Sequence, residues 1–366
     1  MKVLHVTYDM RIGGTEMVIK NIIEGNSDPN ITMSIFCIES PLGPWGEELK
    51  NTSLIDVAVA DREPGFDFEL IKQLRQHIKT NEINIVHCHQ YTPWVYGTLA
   101  TIGFSAKVIF TEHGRFYPDS SSWKRKMVNP LLIKLTKHVT AISQATKAAL
   151  KTFENIPLNK IKLIYNGIKP LSSSKSNVES LKRTLGIPLD FLVFGTVSRM
   201  DPIKNHKLMV EAFAAFRKYY PNSVLLLVGD GEEKEAIIEL IQKHALSDNV
   251  ILTGYIEKPT HHVAAIDVFL LPSFSEGTSM TLLESMSLGK PSIVTDVGGN
   301  PEVVQHAKTG IVIRNNNLDD LVCAMKQLAQ DSHNREHLGR NAKLRFEDMF
   351  SLDKMCSSYG ALYQKK

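Results

Sequence analysis

The chain has 366 residues, more than one hydrophobic core usually supports, so two domains are expected. Its formal net charge of +3 is close to balance, which gives no reason to expect nucleic-acid binding. The four cysteines form no CxxC pair, no apolar run is long enough for a membrane span, and no signal peptide is visible. These features predict a cytoplasmic protein with reduced thiols.

The first half alternates short apolar runs with helical patterns, which is typical of a parallel, doubly wound sheet. The predicted strands are 3–7, 32–38, 83–88, 107–111, 139–143 and 161–164. The predicted helices are one after the glycine loop at 13–14, then 68–77, 92–101 and a basic one at 123–137. The polar segment 166–177, NGIKPLSSSKSN, is interpreted as an interdomain linker.

The same alternation restarts after this segment. The predicted strands are 191–197, 224–228, 250–252, 268–271, 292–295 and 310–313. The predicted helices include 205–218, 233–244, 278–288, 318–330, 336–347 and 352–364. The sequence therefore predicts a second doubly wound domain, and a cleft between two such domains is a natural ligand site.

Two glutamates lie in the strand–helix–strand unit at 267–302. Glu276 precedes the helix and Glu284 lies within it, beside apolar residues. Ligands bind at the carboxyl ends of strands in open α/β sheets. A spacing of eight residues suits two ends of an extended ligand better than a catalytic acid–base pair. The alternative for Glu284 is an ordinary surface charge on the helix.

Two cations follow the first strand of the second half. Arg199 and Lys204 flank an Asp201–Pro202 turn, and Asn205 is expected to cap the next helix. Two cations at this spacing suit two neighbouring phosphates. The alternative is a pair of solvated loop charges.

Glycine and histidine residues follow strands of the first half. Gly13 and Gly14 allow close approach of a ligand to a helix N-terminus, although a tight turn is the alternative and the G-x-G-x-x-G spacing is absent. His113 follows a strand and could bond a ligand or transfer protons; a structural histidine is the alternative.

No metal or cofactor is predicted. His87, Cys88 and His89 occupy adjacent strand positions, which alternate between faces, and no further ligand lies nearby in sequence. No Asp-x-Asp occurs that could hold a divalent ion on a diphosphate.

A basic, partly apolar segment spans 122–138. It could dock on an anionic membrane surface, but an ordinary sheet-covering helix with a solvated basic face is the preferred interpretation. The aromatic residues that could form a sugar- or lipid-facing rim, or pack internally, are Tyr91, Trp94, Phe116, Tyr117 and Trp123.

The glutamate pair, the two cations, the glycine pair and the His–Gly at 113–114 occur in an order that resembles glycosyltransferase family 4. The resemblance implies the GT-B fold, with two doubly wound Rossmann-like domains facing a cleft. It implies an acceptor-binding domain at 1–168 and a donor-binding domain at 178–349. The C-terminal helix, within 350–366, would cross back to the first domain.

The resemblance also implies a retaining transfer of sugar from a nucleotide diphosphate sugar, UDP- or GDP-linked, without a metal. Arg199 and Lys204 would neutralise the diphosphate, and the backbone of Gly13 and Gly14 would contact it from the first domain. Glu284 would bind the ribose, and Glu276 would bind the donor sugar. The backbone of Gly277, Thr278, Ser279 and Met280 would also contact the donor, and His113 would lie near the donor sugar. The implied acceptor is a glycan or a lipid-linked glycan, at the inner face of the cell membrane.

Three alternatives to this transferase stay open. A nucleotide-sugar epimerase uses the same fold, and a non-catalytic nucleotide-sugar-binding protein would retain the same binding residues. An NAD-linked dehydrogenase is disfavoured because its glycine fingerprint is missing.

Overall fold

The computed structural model describes residues 1–52, 55–114, 120 and 122–364. Two compact units divide the chain: Met1–Gly167 with Leu352–Lys366, and Ile168–Ser351. The strands are β1 Lys2–Thr7, β2 Thr32–Cys37, β3 Asp56–Val59, β4 Ile85–His89, β5 Lys107–Glu112, β6 Thr136–Ala141, β7 Ile161–Leu163, β8 Leu192–Val197, β9 Ser223–Val228, β10 Val250–Leu252, β11 Val268–Leu271, β12 Ser292–Thr295 and β13 Gly310–Ile313.

The helices lie between these strands and after the last of them. They are α1 Gly14–Glu24, α2 Pro44–Asn51, α3 Phe68–Thr80, α4 Tyr91–Thr101, α5 Trp123–Leu135, α6 Gln144–Glu154, α7 Lys175–Thr184, α8 His206–Arg217, α9 Lys234–Lys243, α10 Thr260–Ala265, α11 Met280–Ser287, α12 Asn300–Val303, α13 Leu318–Gln330, α14 Ser332–Met349 and α15 Leu352–Gln364.

The first unit is built on a parallel sheet in the order β3-β2-β1-β4-β5-β6-β7. Its two faces differ because side chains alternate along each strand. Leu4 and Val6 of β1 face the main apolar core of this unit. His5 and Thr7 point the other way, and both are fully buried. The strands that the sequence predicted as simple apolar runs therefore carry a second, polar face.

The C-terminal helix α15 packs on the first unit, as predicted. The Tyr363 hydroxyl lies 2.8 Å from His87 Nδ1, and Gly167 N donates to Met355 Sδ over 3.2 Å. Tyr359 and Tyr363 are almost fully buried. Burial of these side chains anchors the C-terminal helix on the sheet formed by the N-terminal part of the chain.

The second unit repeats the architecture with a parallel sheet in the order β10-β9-β8-β11-β12-β13. Its core includes Phe194 of β8 and Phe213 and Phe216 of α8. The winding direction reverses between β8 and β11, as it does between β1 and β4 in the first unit. Such switch points open a crevice at the carboxyl ends of the strands. The prediction of two doubly wound α/β domains is confirmed.

The segment predicted as a linker is held mainly by the second unit. Ile168 N donates to Phe350 O over 3.1 Å, and Leu171 N donates to Ser287 Oγ over 3.2 Å. Helix α7 begins inside the segment, at Lys175, because the Ser174 side chain accepts from Asn177 N and caps it. The serines that argued against a packed segment thus act as capping and anchoring groups.

The elements that the sequence did not predict are α2, β3, α6, α7, α10 and α12. β3 has four residues, and only Val57 among them is buried. α10 has six residues and α12 has four. The basic helix α5 ends at Leu135, earlier than predicted, because Thr136 and Lys137 already belong to β6.

Candidate active site

The loops at the switch point of the second unit bring the predicted cations and one glutamate together. Arg199 follows β8, Lys204 ends a 3₁₀ turn at Pro202–Lys204, and Glu276 lies in the loop after β11. A backbone hydrogen bond of 2.8 Å, from Phe274 N to Ile203 O, joins the two loops. Neighbouring parallel strands therefore place residues that are distant in sequence at one sheet edge.

Lys204 and Glu276 form an ion pair. Lys204 Nζ donates to Glu276 Oε1 over 2.6 Å, and Ser273 Oγ donates to the same oxygen over 2.7 Å. The Glu276 side chain is 7% exposed and that of Lys204 is 22% exposed. A charge-assisted pair with this little solvent contact is stronger than a surface ion pair. The alternative of two freely solvated loop charges does not hold for Lys204.

Arg199 pairs with a carboxylate of its own loop. Its Nε donates to Asp201 Oδ2 over 2.9 Å, and the guanidinium remains largely exposed, at 77%. The other oxygen of Asp201 accepts from Lys204 N over 3.2 Å and so caps the 3₁₀ turn. Asn205 stands at the N-cap of α8 but makes no capping bond there, because its backbone is left-handed with φ of 55°. The capping role predicted for Asn205 is wrong.

Gly298 packs directly against the backbone of Glu276. Its φ is +50°, and a Cβ at this position would overlap Glu276 O. Gly299 N donates to the same carbonyl over 3.1 Å. Only glycine combines this backbone angle with so close an approach. The loop after β12 therefore fixes the loop that carries Glu276.

Helix α11 starts two residues later than predicted. Ser279 is its N-cap and accepts from Leu282 N over 3.4 Å, so Gly277 and Thr278 precede the helix and Met280 begins it. Thr278 and Ser279 are both buried. The helix N-terminus therefore opens beside the Glu276 loop.

Glu284 lies in the middle of α11 with a buried oxygen, Oε2, that has no partner among the described residues. Burial raises the pKa of this carboxyl to about 7. A buried acceptor without a donor disfavours the ionised form and favours a ligand that supplies hydroxyl groups. These features do not fit the alternative of an ordinary surface charge.

The glycine pair of the first unit stands at the start of α1, at the switch-point edge. Gly13 is the N-cap, with extended backbone, and a Cβ on Gly14 would meet open space. Glu16, in the first turn of α1, lies close to Gly13. Desolvation raises the pKa of Glu16 to about 6, and the nearby Asp9 adds to this rise. Gly14 therefore leaves open space at the helix N-terminus, whereas the Glu16 carboxyl lies beside Gly13.

His113 follows β5 and bonds to another histidine. Its Nε2 lies 2.8 Å from His89 Nδ1, while its Nδ1 is buried without a partner among the residues the structure describes. Burial lowers the pKa of His113 to about 3, so the ring is neutral near pH 7. A neutral imidazole can orient a substrate oxygen but carries no charge to offset a phosphate.

His87 and His89 share one face of β4, while Cys88 joins the apolar core on the other face. His5 of β1 completes a buried trio whose ligand nitrogens all lie within 4.8 Å of one another. His5 was not predicted as part of this cluster because it lies 84 residues from His89 in the sequence. The missing signal was the alternation of polar and apolar residues in β1 and β4.

The aromatic residues proposed as a rim have different surroundings. Trp94 is fully buried and stacks on Phe110 with centroids 4.3 Å apart. The Tyr91 hydroxyl donates to Asn129 Oδ1 over 2.8 Å, and Trp123 is 69% exposed. Phe116 and Tyr117 lie outside the described residues. Trp94 therefore packs internally.

Helix α5 exposes most of its apolar side chains, although Leu132 packs in the main core of the first unit as expected for a sheet-covering helix. Its buried residues are Asn129 and Leu132. Asn129 Nδ2 donates to Glu154 Oε2 over 3.0 Å, and Arg125 donates to Glu154 Oε1 over 3.0 Å. Polar contacts with α6 hold the inner face, so the apolar residues are left on the outer face.

Two further residues belong to the candidate site, although neither was predicted from the sequence. Ser273 Oγ and Lys204 Nζ both donate hydrogen bonds to Glu276 Oε1. Asn300, next to Gly299, is 1% exposed, and neither polar atom of its amide has a partner within the described part of the chain. A buried amide of this kind is a candidate ligand contact because its hydrogen bonds are otherwise unmade.

Comparison with known proteins identifies the family. The family described as "Glycosyltransferase Family 4" matches residues 12–170, and "Glycosyl transferases group 1" matches residues 177–345. The chain belongs to glycosyltransferase family 4. It is therefore a glycosyltransferase, and sugar transfer replaces the epimerase alternative.

Relatives of this glycosyltransferase include curated bacterial enzymes. It is 29% identical over 307 residues to N-acetyl-alpha-D-glucosaminyl L-malate synthase of Bacillus anthracis, covering 82% of this chain and 79% of the relative. It is 25% identical over 343 residues to UDP-Gal:alpha-D-GlcNAc-diphosphoundecaprenol alpha-1,3-galactosyltransferase of Escherichia coli, covering 90% of this chain and 88% of the relative.

A solved structure shares the whole fold. Alr3699/HepE of Anabaena, in complex with UDP, superimposes with a TM-score of 0.88 at 21% identity and covers 99% of both chains. Together with the two parallel-sheet α/β units, this similarity establishes the GT-B fold. Within the described residues, no helix is both long enough and apolar enough to span a membrane.

Proposed function

We propose that this glycosyltransferase moves a sugar from a UDP-sugar to a hydroxyl group of a lipid-linked glycan, with retention of configuration and without a metal. The observation that carries the proposal is the Lys204–Glu276 pair at the switch point of the second unit. The pair keeps a cation and a sugar-binding carboxylate at the same sheet edge. The UDP complex of HepE and the lipid-linked acceptor named for the Escherichia coli relative support the choice of donor and acceptor.

Charge on the diphosphate leaving group is the main electrostatic demand of this reaction. Arg199 and Lys204 are the cations at the proposed diphosphate site, and fixed cations stabilise charge that develops on a leaving group. When Lys204 turns to a phosphate, Ser273 still bonds Glu276. Glu276 is then available to accept hydrogen bonds from donor-sugar hydroxyls.

Glu284 fits the ribose of the donor. Its Oε2, which has no partner in the described part of the chain, can accept a hydrogen bond from a ribose hydroxyl. This bond would favour the ionised form of a carboxyl whose pKa is about 7. Gly277 to Met280 would contribute backbone N–H groups at the start of α11, and Gly13 and Gly14 would contribute them at the start of α1.

Retention follows from the reaction course we propose. A phosphate oxygen of the donor takes the proton of the acceptor hydroxyl on the face from which the diphosphate leaves, so no protein nucleophile is required. His113 is neutral and would contact the donor sugar.

The test is binding followed by product analysis with the full chain. A panel of UDP- and GDP-sugars is screened for a rise in melting temperature, and we expect a UDP-sugar to give it. The shift should be lost in Lys204→Ala and kept in Lys72→Ala, which breaks an exposed ion pair with Glu69. Stabilisation by GDP-sugars alone would overturn the choice of donor.

The product made from that donor tests the reaction course and the absence of a metal requirement. The anomeric configuration of the product, read by NMR, should match that of the donor, and EDTA should leave the rate unchanged. An inverted product or inhibition by EDTA would contradict the corresponding part of the proposal.

We also propose that α5 docks on an anionic membrane, where a lipid-linked acceptor would be found. Trp123, Met127, Leu131 and Leu135 recur every four residues and are 69, 68, 63 and 50% exposed. Lys124, Lys126 and Lys134 are exposed on the same helix. An apolar stripe flanked by lysines is the pattern of helices that lie on lipid surfaces.

Vesicle sedimentation tests this docking. Vesicles that contain phosphatidylglycerol should bind the protein more tightly than neutral phosphatidylcholine vesicles. Leu131→Ser should weaken binding by about tenfold, since a leucine that enters the interface contributes on the order of 1.5 kcal/mol. Leu344→Ser is the matched control, because Leu344 is 64% exposed on α14 of the other unit. Equal loss in both variants would rule out α5 as the docking surface.

A further inference from the structure

Three histidines form a continuous hydrogen-bonded chain across the polar face of the first sheet. His5 Nδ1 lies 2.9 Å from His89 Nε2, and His89 Nδ1 lies 2.8 Å from His113 Nε2. His5 and His89 are fully buried. Both bonds join one nitrogen to another, so each requires one ring to donate and the other to accept.

Neither end of this histidine chain has a hydrogen-bond partner among the residues that the structure describes. His5 Nε2 and His113 Nδ1 are buried and make no hydrogen bond within the described residues. Burial lowers the pKa of His5 and of His113 to about 3, and it lowers the pKa of His89 well below its ordinary value. The three rings are therefore neutral near pH 7, and each carries one N–H group and one lone pair.

The number of ring N–H protons allows only two arrangements of histidine tautomers along this chain. Three neutral rings have three N–H groups, and the two internal bonds use two of them. The third N–H must stand at one end, either on His5 Nε2 or on His113 Nδ1, and the opposite end then presents a lone pair. The proton position at one end is therefore coupled to that at the other.

Burial decides between these arrangements. Both end nitrogens are buried, but His113 as a residue is only part-buried and follows the carboxyl end of β5, whereas His5 is fully enclosed within β1. A buried N–H without an acceptor is rarer in proteins than a buried acceptor without a donor. The lone pair is therefore favoured at His5 Nε2, and the N–H is favoured at His113 Nδ1.

We propose that His5 and His89 hold His113 as the neutral Nδ1–H tautomer, so that His113 donates a hydrogen bond from Nδ1 to an oxygen of the bound substrate. His89 is then a positioning residue, since it acts through His113. The tautomer follows from the hydrogen-bonded chain together with the burial of its two ends, whereas the substrate oxygen rests on the proposed function. In this arrangement Nδ1 has no lone pair, so His113 cannot be a general base through that atom.

A metal site is the competing interpretation of the same cluster. His5, His87 and His89 have ligand nitrogens within 4.8 Å of one another. However, the two nitrogens of His87 lie 2.8 Å from the Tyr363 hydroxyl and 2.7 Å from Thr111 Oγ1. The nitrogens of His89 are both used in the histidine chain. A metal would have to break several of these bonds, so the hydrogen-bonded chain is favoured.

The direct test reads protons on nitrogen in the unaltered protein. The full chain is labelled with ¹⁵N-histidine, and ¹H–¹⁵N correlation spectra at pH 7 identify which ring nitrogen carries the proton. We expect Nδ1–H on His5, His89 and His113. An Nε2–H or a doubly protonated ring at His113 would overturn the proposal. The readout requires no sugar transfer, so its failure is distinct from failure of the proposed function.

A pair of variants in β4 separates positioning from structural support. His89→Phe should release the Nδ1–H preference of His113 and lower kcat/KM about 10- to 100-fold. His87→Phe makes the same change on the same strand face but leaves the histidine chain intact, so it should keep the tautomer and change kcat/KM by less than about threefold. Equal changes in both variants would indicate a structural role only.

Two further measurements complete the test. If His89 acts through His113, the double variant with His113→Phe should be no slower than His113→Phe alone. Full additivity would contradict the coupling. Addition of Co²⁺ to the unaltered protein should produce no visible absorption band from histidine ligation; a stoichiometric band would favour the metal site instead. If His89→Phe fails to fold, the spectrum of the unaltered protein still decides the tautomer.

Discussion

The two switch points share a topology but differ in electrostatics. At the edge of the second sheet, Lys204 pairs with Glu276 and Arg199 pairs with Asp201. On the polar face of the first sheet, next to its own switch point, His5, His89 and His113 are linked as neutral rings. The first arrangement consists of formally charged side chains, whereas the second consists of neutral rings that only donate or accept hydrogen bonds.

This difference follows from burial. Arg199 keeps most of its guanidinium in solvent, and each of the two cations has a carboxylate partner. Burial lowers the pKa of His5 and of His113, so it favours the neutral form of these rings. Because the side chains at the two edges differ, the same fold presents a charged edge, which we propose binds the diphosphate, and an uncharged one, which we propose contacts the donor sugar.

The largest expected effect tests the charged edge. Lys204→Met should lower kcat/KM for sugar transfer by about 10²–10³-fold, because it removes a cation from the leaving group. Steady-state kinetics with a UDP-sugar provide the measurement. Lys72→Met, at an exposed ion pair, is the control. If the loss in Lys204→Met were no greater than that in His113→Phe, the contrast between a charged and a neutral region would be wrong.

The next effect concerns the backbone that supports Glu276. Gly298→Ala should cost about 3 kcal/mol of unfolding free energy, since the new Cβ overlaps Glu276 O. Gly186→Ala is the matched control in the same unit: its φ is +70° but its Cβ would meet open space. It should cost only about 1 kcal/mol for the left-handed backbone. Chemical denaturation measures both, and equal costs would show that the Glu276 loop adapts.

The smallest effect is a pH dependence at Glu284. Its pKa is raised from 4.5 to about 7 in the folded state, so the ionised carboxylate destabilises the fold. The penalty is absent below pH 4.5, grows as pH rises to 7 and is complete above that. Glu284→Gln should therefore gain stability relative to the unaltered protein as pH rises, by about 1–3 kcal/mol at pH 8.

Denaturation curves between pH 5 and pH 8 check this gain. The exposed Glu347→Gln controls for the general loss of a negative charge. A gain that stays constant across this pH range would show that ionisation of Glu284 is not its source. With UDP bound, ribose hydroxyls should pair with the carboxylate and reduce the gain.

Local sequence patterns determined most of the fold. Alternating apolar runs and helical patterns predicted every strand of the described residues except β3 within a few residues. They also predicted that Arg199, Lys204 and Glu276 follow the ends of strands. These features depend on the residues of one segment, so they can be read without the rest of the chain. Short elements such as β3 and α12 escaped prediction because four residues contain too little periodicity.

Only the tertiary structure decided which of these side chains meet. Lys204 and Glu276 are 72 residues apart in sequence, and His5 and His89 are 84 apart. Their contacts depend on strand order and register, which bring β8 beside β11 and β1 beside β4. An apolar pattern indicates that a strand is buried but does not specify its neighbour. The sequence therefore predicted two cations at the same sheet edge as Glu276 and a lone histidine, while the folded chain contains a Lys204–Glu276 ion pair and a line of three histidine rings.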